Sequence, residues 1–209
     1  AGESAEAKLA RLGEAISKAG ADAAVLTRPD SIAWAFNIRG ADIPRTPEAL
    51  SFAILRKEGR PTLFIDGAKL DNVVRDRLEQ IASVETPAAF APALSALGGN
   101  VLVDKASAAF EVVRRIEAGG GKVVAGSDPV LLPKALKNAT ELAGIRAAHV
   151  RDGVAMVRFL AWIDREAPKG GLDEIAVTKQ LEEFRRETGA LRDISFDTIA
   201  GAGPNAAIP

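Results

Sequence analysis

Cysteine is absent from the 209 residues, which excludes disulfides, thiol nucleophiles and every cysteine-ligated metal site. A chain of that kind suits the reducing cytoplasm. Histidine occurs once, at His149, so no two-histidine zinc site can be assembled. A serine nucleophile would have His149 as its sole imidazole base, and no G-x-S-x-G elbow is present to carry one. The His-Glu-x-x-His pattern and the glycine-rich phosphate loop followed by Lys-Ser/Thr are also missing. No apolar run approaches the roughly 20 residues that a membrane span needs, and the first residues lack a signal-peptide pattern. Neither sign of charge dominates: 27 Lys and Arg stand against 28 Asp and Glu, a formal net charge of −1. The basic clusters "VVRRI" and "EEFRRE" carry neighbouring acids and read as solvated helix faces. Nucleic acid and anionic membrane are therefore not expected partners.

What is present is an α/β rhythm. Hydrophobic residues make up 47% and charged residues 26%, enough for a real core. "SAEAKLARLGEAISKAGAD" predicts an amphipathic helix, with Ser4 as N-cap, Leu9, Leu12 and Ile16 on one stripe, and Gly20 past its end. "AAVLT" is a short buried strand, and Pro29 and Asp30 open the next helix, which Asn37 and Gly40 break. "SFAILRK" and "PTLFID", separated by "EGR", form a β-hairpin. Helix 69–81, strand "SVET", helix 88–97, buried strand "NVLVD", helix "SAAFEVVRRIEA" and buried strand "KVVAG" follow. The expected fold is α/β with a mixed sheet.

At "SDPVLLPKALKN" the rhythm changes, and a domain boundary is expected there, dividing 1–130 from 131–209. A helix over about 138–166 carries Leu142, Ile145, His149, Met156, Leu160 and Ile163 on one stripe, with Gly153 as a gap. "APKGG" ends it, and Asp173 opens a second helix running to Gly189. "DISFDTIA" then reads as a strand buried on both faces, running into "GAGPNAAIP". Two helices and one strand leave apolar faces without partners, so the chain reads as cut from something longer.

Three places invite chemistry. His149 lies mid-helix with Asp152 at i+3, but one such pair is no metal site, and a hydrogen-bonded histidine at a packing interface is the better reading. In "FNIRGAD", Asn37, Arg39 and Asp42 crowd a helix end, where a guanidinium could meet a carboxylate or an extended peptide. A helix C-cap with an internal salt bridge is the plainer alternative. In "AGAGPNAAIP", Gly201, Gly203 and Ala206 suit a backbone passing close to a ligand or to another strand.

Taken with "DSIAWAFNIRGADI", "LFIDGAKL", "KNATELAGIRAAHVRDGVAMVRFLAWI", "PKGGLDEI" and "EEFRRETG", the chain resembles the Xaa-Pro aminopeptidases (aminopeptidase P) of the pita-bread metallopeptidases. The likeness covers nearly the whole chain and preserves order and spacing. It implies a creatinase-type N-terminal domain over 1–130. The first helices and first strand of a truncated pita-bread catalytic domain would follow over 131–209.

The resemblance further implies a pair of divalent ions, commonly manganese, held by two Asp, one His and two Glu beyond Pro209. No position here matches those ligands, so this polypeptide alone is expected to be inactive and to hold no metal. Asn37, Arg39 and Asp42, with Phe196, Ile199 and Asn205, become candidates for the substrate cleft. Peptides with proline at the second position, a cytoplasmic location and a homodimer follow from the same likeness. Two rivals share the architecture: a non-catalytic peptide- or protein-binding module, and a creatinase-like hydrolase acting on a small amidine-type substrate.

Overall fold

A computed structural model describes residues 2–207; Ile208 and Pro209, which close the glycine-rich stretch, lie outside the described residues. The chain forms two compact units, divided between Asn138 and Ala139.

The first unit is built on six strands. α1 (Ala5–Lys18) leads to β1 (Ala23–Leu26), α2 (Pro29–Phe36), β2 (Ser51–Arg56) and β3 (Thr62–Ile65). Then come α3 (Asn72–Ile81), β4 (Ser83–Glu85), α4 (Phe90–Ser95), β5 (Asn100–Val103), α5 (Phe110–Ala118), β6 (Lys122–Ala125) and the short α6 (Leu131–Ala135). The strand order is β4-β3-β2-β1-β5-β6. β2 runs antiparallel to both of its neighbours, and the remaining pairs are parallel.

Alternation along the strands sends side chains to two layers. Ala24 and Leu26 face Leu12, Ile16, Ile32 and Phe36 on one side. Ala23 and Val25 face the other, with Phe64, Phe90, Val101, Val112 and Ile116. Each large apolar side chain buried this way contributes about 1.5–3 kcal/mol. Ser4 caps α1 as expected, its hydroxyl accepting from the Ala7 amide at 3.2 Å.

β6 departs from the expected buried strand. Its two valines are half-buried and its end residues exposed, because it is the last strand of the sheet and is hydrogen-bonded on one side only.

A charged strap follows β6. The Asp128 amide donates to Asp104 Oδ2 at 3.0 Å, and Asp128 Oδ1 accepts from the Val130 amide at 2.8 Å. Val130 is fully buried in the core. Lys134 on α6 pairs with Asp30 on α2, which Arg28 also grips through two bonds of 3.1 and 3.2 Å. Burial opposes the Asp30 charge, but the hydrogen bonds from Arg28 and Lys134 outweigh it and hold the carboxyl at about 2. Asp128 goes the other way: burial pushes its carboxyl above the ordinary value.

These shifts have opposite consequences. Asp30 contributes stability above its ordinary value of 3.8, and that is lost as pH falls toward about 2. Asp128 contributes in full below 3.8, and its contribution is lost as pH rises through the raised folded value. The Asp128→Asn variant is therefore expected to unfold at a higher temperature than the parent at neutral pH. The gap should close in acid, and thermal melts across pH 3–8 measure it. A variant less stable at neutral pH would show that the Arg28 charge outweighs the burial.

The second unit holds α7 (Ala139–Glu166) and α8 (Glu174–Arg186). Asp173 caps α8, Oδ1 accepting from the Ala176 amide at 2.6 Å. The buried residues of the helix pair are Ala155, Phe159 and Leu181, and Asp152 takes a bidentate grip from Arg185. The expected apolar stripe of α7 is not the buried one: Leu142, Ile145 and Leu160 are exposed, and a Cβ added at Gly153 would meet open space. Val150, Val154 and Val157 are exposed as well, so apolar residues lie on more than one face of α7, while α8 covers a narrow line. Residues 193–200 do not form the expected strand. A strand exists through its partner's hydrogen bonds, and the described elements of this unit are helical.

Candidate functional site

The most specific stretch of the sequence becomes a fastened loop on the first unit. α2 ends at Asn37, whose φ of 54° places it in the left-handed region. The amides of Asn37 and Ile38 both donate to the Ala33 carbonyl. The helix thus stops on Asn37, before Gly40 is reached.

Beyond that turn the backbone doubles back on itself. The Gly40 amide donates to the Pro47 carbonyl at 3.3 Å, and the Asp42 amide to Glu48 at 3.4 Å. The tip closes through Thr46 to Ile43 at 3.1 Å, with Arg45 at φ 64°. Gly40 is required by contact: a Cβ there would lie 2.6 Å from the Ala49 nitrogen and 2.7 Å from its Cβ.

The three candidates on this loop do different work. Asn37 Oδ1 accepts from Lys8 Nζ at 2.7 Å, and its Nδ2 donates to the Glu3 carbonyl at 3.0 Å. Asp42 Oδ2 accepts from the Leu50 amide and from Lys69 Nζ, both at 2.6 Å. The Lys69 bond, helped by the Leu50 amide, holds the Asp42 carboxyl below its ordinary value. Arg39 is exposed, and its guanidinium donates to the Ile38 carbonyl at 2.9 Å. Asn37 and Asp42 are thus occupied in holding the loop, and the Arg39 guanidinium is presented outward. A planar guanidinium so placed suits a carboxylate or peptide carbonyls.

The second-unit candidates sit on irregular chain. Phe196 is 64% exposed and Ile199 is 89% exposed, which corrects the expectation of a segment buried on both faces. Asn205 lies in a 3-10 turn (Gly203–Ala207) and donates Nδ2 to Glu174 Oε1 at 3.2 Å. The same carboxylate oxygen accepts from the Ala202 amide at 2.7 Å. The close approach expected at Gly201 is made by its own chain, since a Cβ would lie 2.9 Å from the Asn205 carbonyl oxygen. His149 is exposed, and its Nδ1 lies 2.9 Å from the Ile145 carbonyl oxygen. It is a hydrogen-bonded helix histidine, though not at a packing interface.

Three residues that do the fastening were not singled out from sequence: Lys8, Lys69 and Glu174. Lys8 had a signal, because it precedes Leu12 and Ile16 at intervals of one helical turn and so falls on the apolar stripe of α1. Glu174 was one more acid in the first turn of a helix, and nothing in the spacing marked Lys69. Among the described residues, no group of three or more His, Asp or Glu side chains comes together to hold a metal ion.

Residues 1–141 match the family model of the creatinase/prolidase N-terminal domain. The chain belongs to that family. This creatinase/prolidase N-terminal chain continues, over residues 143–209, into a match to metallopeptidase family M24. Among curated relatives it is 37% identical to a probable Xaa-Pro aminopeptidase P of Laccaria bicolor, over 99% of this chain and 33% of that one. It is 31% identical to Xaa-Pro aminopeptidase 1 of Dictyostelium discoideum, over 99% of this chain and 34% of the relative. The chain therefore spans about a third of the length of the curated relatives it matches.

Among solved structures, the X-prolyl aminopeptidase of Caenorhabditis elegans superposes with a TM-score of 0.85 at 29% identity, covering 95% of this chain and 33% of that one. That protein is described as a cytosolic enzyme with a di-nuclear active site. The Xaa-Pro dipeptidase of Bacillus anthracis shares the fold, with a TM-score of 0.71 at 22% identity over 98% of this chain and 55% of that one. No helix among the described residues is long and apolar enough to cross a membrane.

Proposed function

We propose that this chain is part of a metal-dependent Xaa-Pro aminopeptidase, which removes an N-terminal residue that precedes proline. The observation that carries this reading is the end-to-end likeness to Xaa-Pro aminopeptidases, at 37% identity over 99% of the chain. On this reading the creatinase-type domain is the first unit, running to about Asn138, and the catalytic one starts with α7.

Among the described residues no three His, Asp or Glu side chains group as metal ligands. The ligands of a divalent pair, manganese by preference, would come from sequence outside these 209 residues, and the chain by itself would be inactive. The whole protein would work in the cytoplasm as a homodimer on peptides with proline second.

Within that protein Arg39 faces the substrate cleft or the partner subunit. Asn37 and Asp42 set the loop that carries it, and Phe196, Ile199 and Asn205 form cleft wall. Substituting Arg39 by Ala in the whole enzyme is expected to lower kcat/KM for a Xaa-Pro peptide roughly 10- to 100-fold, the loss of a charge-assisted hydrogen bond. Steady-state kinetics and the sedimentation of the dimer test it together. Unchanged kinetics with unchanged dimerisation would remove Arg39 from the site. Proline-dependent cleavage by the 209 residues alone, with manganese added, would overturn the view that the ligands lie elsewhere.

A further inference from the structure

We propose that Lys8 is the positioning residue of the 38–50 loop, a buried cation that fixes the root from which Arg39 is presented. The proposal rests on the cleft reading above for its functional consequence, though not for its structural one.

Lys8 is 1% exposed, on the stripe of α1 that also buries Leu12 and Ile16. Its ammonium donates to the Trp34 carbonyl at 2.9 Å and to Asn37 Oδ1 at 2.7 Å. It also lies 4.1 Å from the centroid of the Trp34 ring. The Trp34 carbonyl belongs to the last turn of α2, where helical acceptors lack a helical donor and where positive charge is favoured. Lys8 thus closes the end of α2 and, through Asn37, holds the left-handed residue that starts the loop.

Packing alone does not account for a cation here. Removing an ammonium from water is costly, and a methionine of similar length would fill the same space without that cost. The cation adds direction: it joins an acceptor in the last turn of α2, the Trp34 carbonyl, to one on the turn residue itself, Asn37 Oδ1. Asn37 is suited to this role in a way that glycine is not. Both tolerate positive φ, but only the amide can accept from Lys8 and donate to the Glu3 carbonyl. The far end of the loop is tied by Asp42 and Lys69. Fastened at both ends, the loop leaves Arg39 with little room to wander.

The test uses Lys8→Met and, in case that variant fails to fold, Asn37→Gly, which keeps the left-handed turn and removes both side-chain bonds. Amide hydrogen exchange in the whole protein is expected to quicken roughly tenfold in residues 38–50, with β1, β2 and β5 unchanged. The same variants should raise KM for a Xaa-Pro peptide roughly tenfold while kcat changes little, the sign of lost binding order and not lost chemistry. Loop exchange that matches the parent in both variants would overturn the proposal. So would exchange that rises equally across the sheet, since Lys8 would then be a core prop. Faster loop exchange with unaltered kinetics would support the positioning role and remove the loop from the cleft.

Discussion

Truncating Phe64 to alanine should cost the first unit roughly 3–5 kcal/mol, the range for deleting a buried aromatic ring. Phe64 is 1% exposed, in the middle of β3, and lies 5.2 Å from the Phe90 ring at an interplanar angle of 59°. Phe90 in turn stacks on Phe52 at 4.3 Å and 3°. Removing the Phe64 ring leaves a cavity between the sheet and α4 and takes away its pair with Phe90, worth about 0.5–1.5 kcal/mol beyond its area. Against a typical domain stability of about 5–15 kcal/mol, that is a large fraction. Urea unfolding of the chain would register it as a lower midpoint with little change of slope. A loss below about 1 kcal/mol would show that α4 closes over the gap, against the rigid packing inferred here.

The second large effect is expected at Gly119. It terminates α5 with φ −82°, an ordinary backbone conformation, so flexibility is not the reason for glycine. A Cβ there would lie 1.9 Å from the Ser95 carbonyl oxygen and 2.7 Å from its carbonyl carbon. Both are backbone atoms at the end of α4, and backbone cannot swing aside as a long side chain does. The Gly119→Ala variant must push α4 and α5 apart, which should cost about 2–3 kcal/mol. Gly98→Ala is the control, since a Cβ there meets nothing within 4 Å. Equal thermal midpoints for the two variants would sink the steric account.

How much of this could be read from the chain depends on how local each determinant is. The helices and strands of the first unit were legible because their periods are written in neighbouring residues, as in Ala23 to Leu26 or Leu12 and Ile16. The exposure of β6 was not, because "KVVA" has the composition of an inner strand and its place at the edge is decided by topology. Residues 193–200 failed as a strand for a related reason: alternating apolar residues propose a strand, and a partner makes one. In the candidate site, Asn37 and Gly40 were both visible as breakers, but nothing in the sequence divided the work between them. The turn is made by Asn37, and Gly40 is needed where Ala49 passes. The ion pair of Asp42 with Lys69 bridges 27 positions, a distance at which spacing carries no information. Lys8 was legible in principle, as a charged residue on an apolar stripe, and it is the feature most easily mistaken for noise.

The two outermost strands bear on how such a chain meets others. β4 has three residues and β6 has four, so each side of the sheet offers only a few unpaired backbone groups to a passing strand. Glu85 and Lys122 at their ends place a charge on each border. Growth of the sheet from molecule to molecule, the common route to fibrils and swapped assemblies, is discouraged at both margins. Copies of this chain that pair must then do so through side chains and protruding loops, where recognition can be selective.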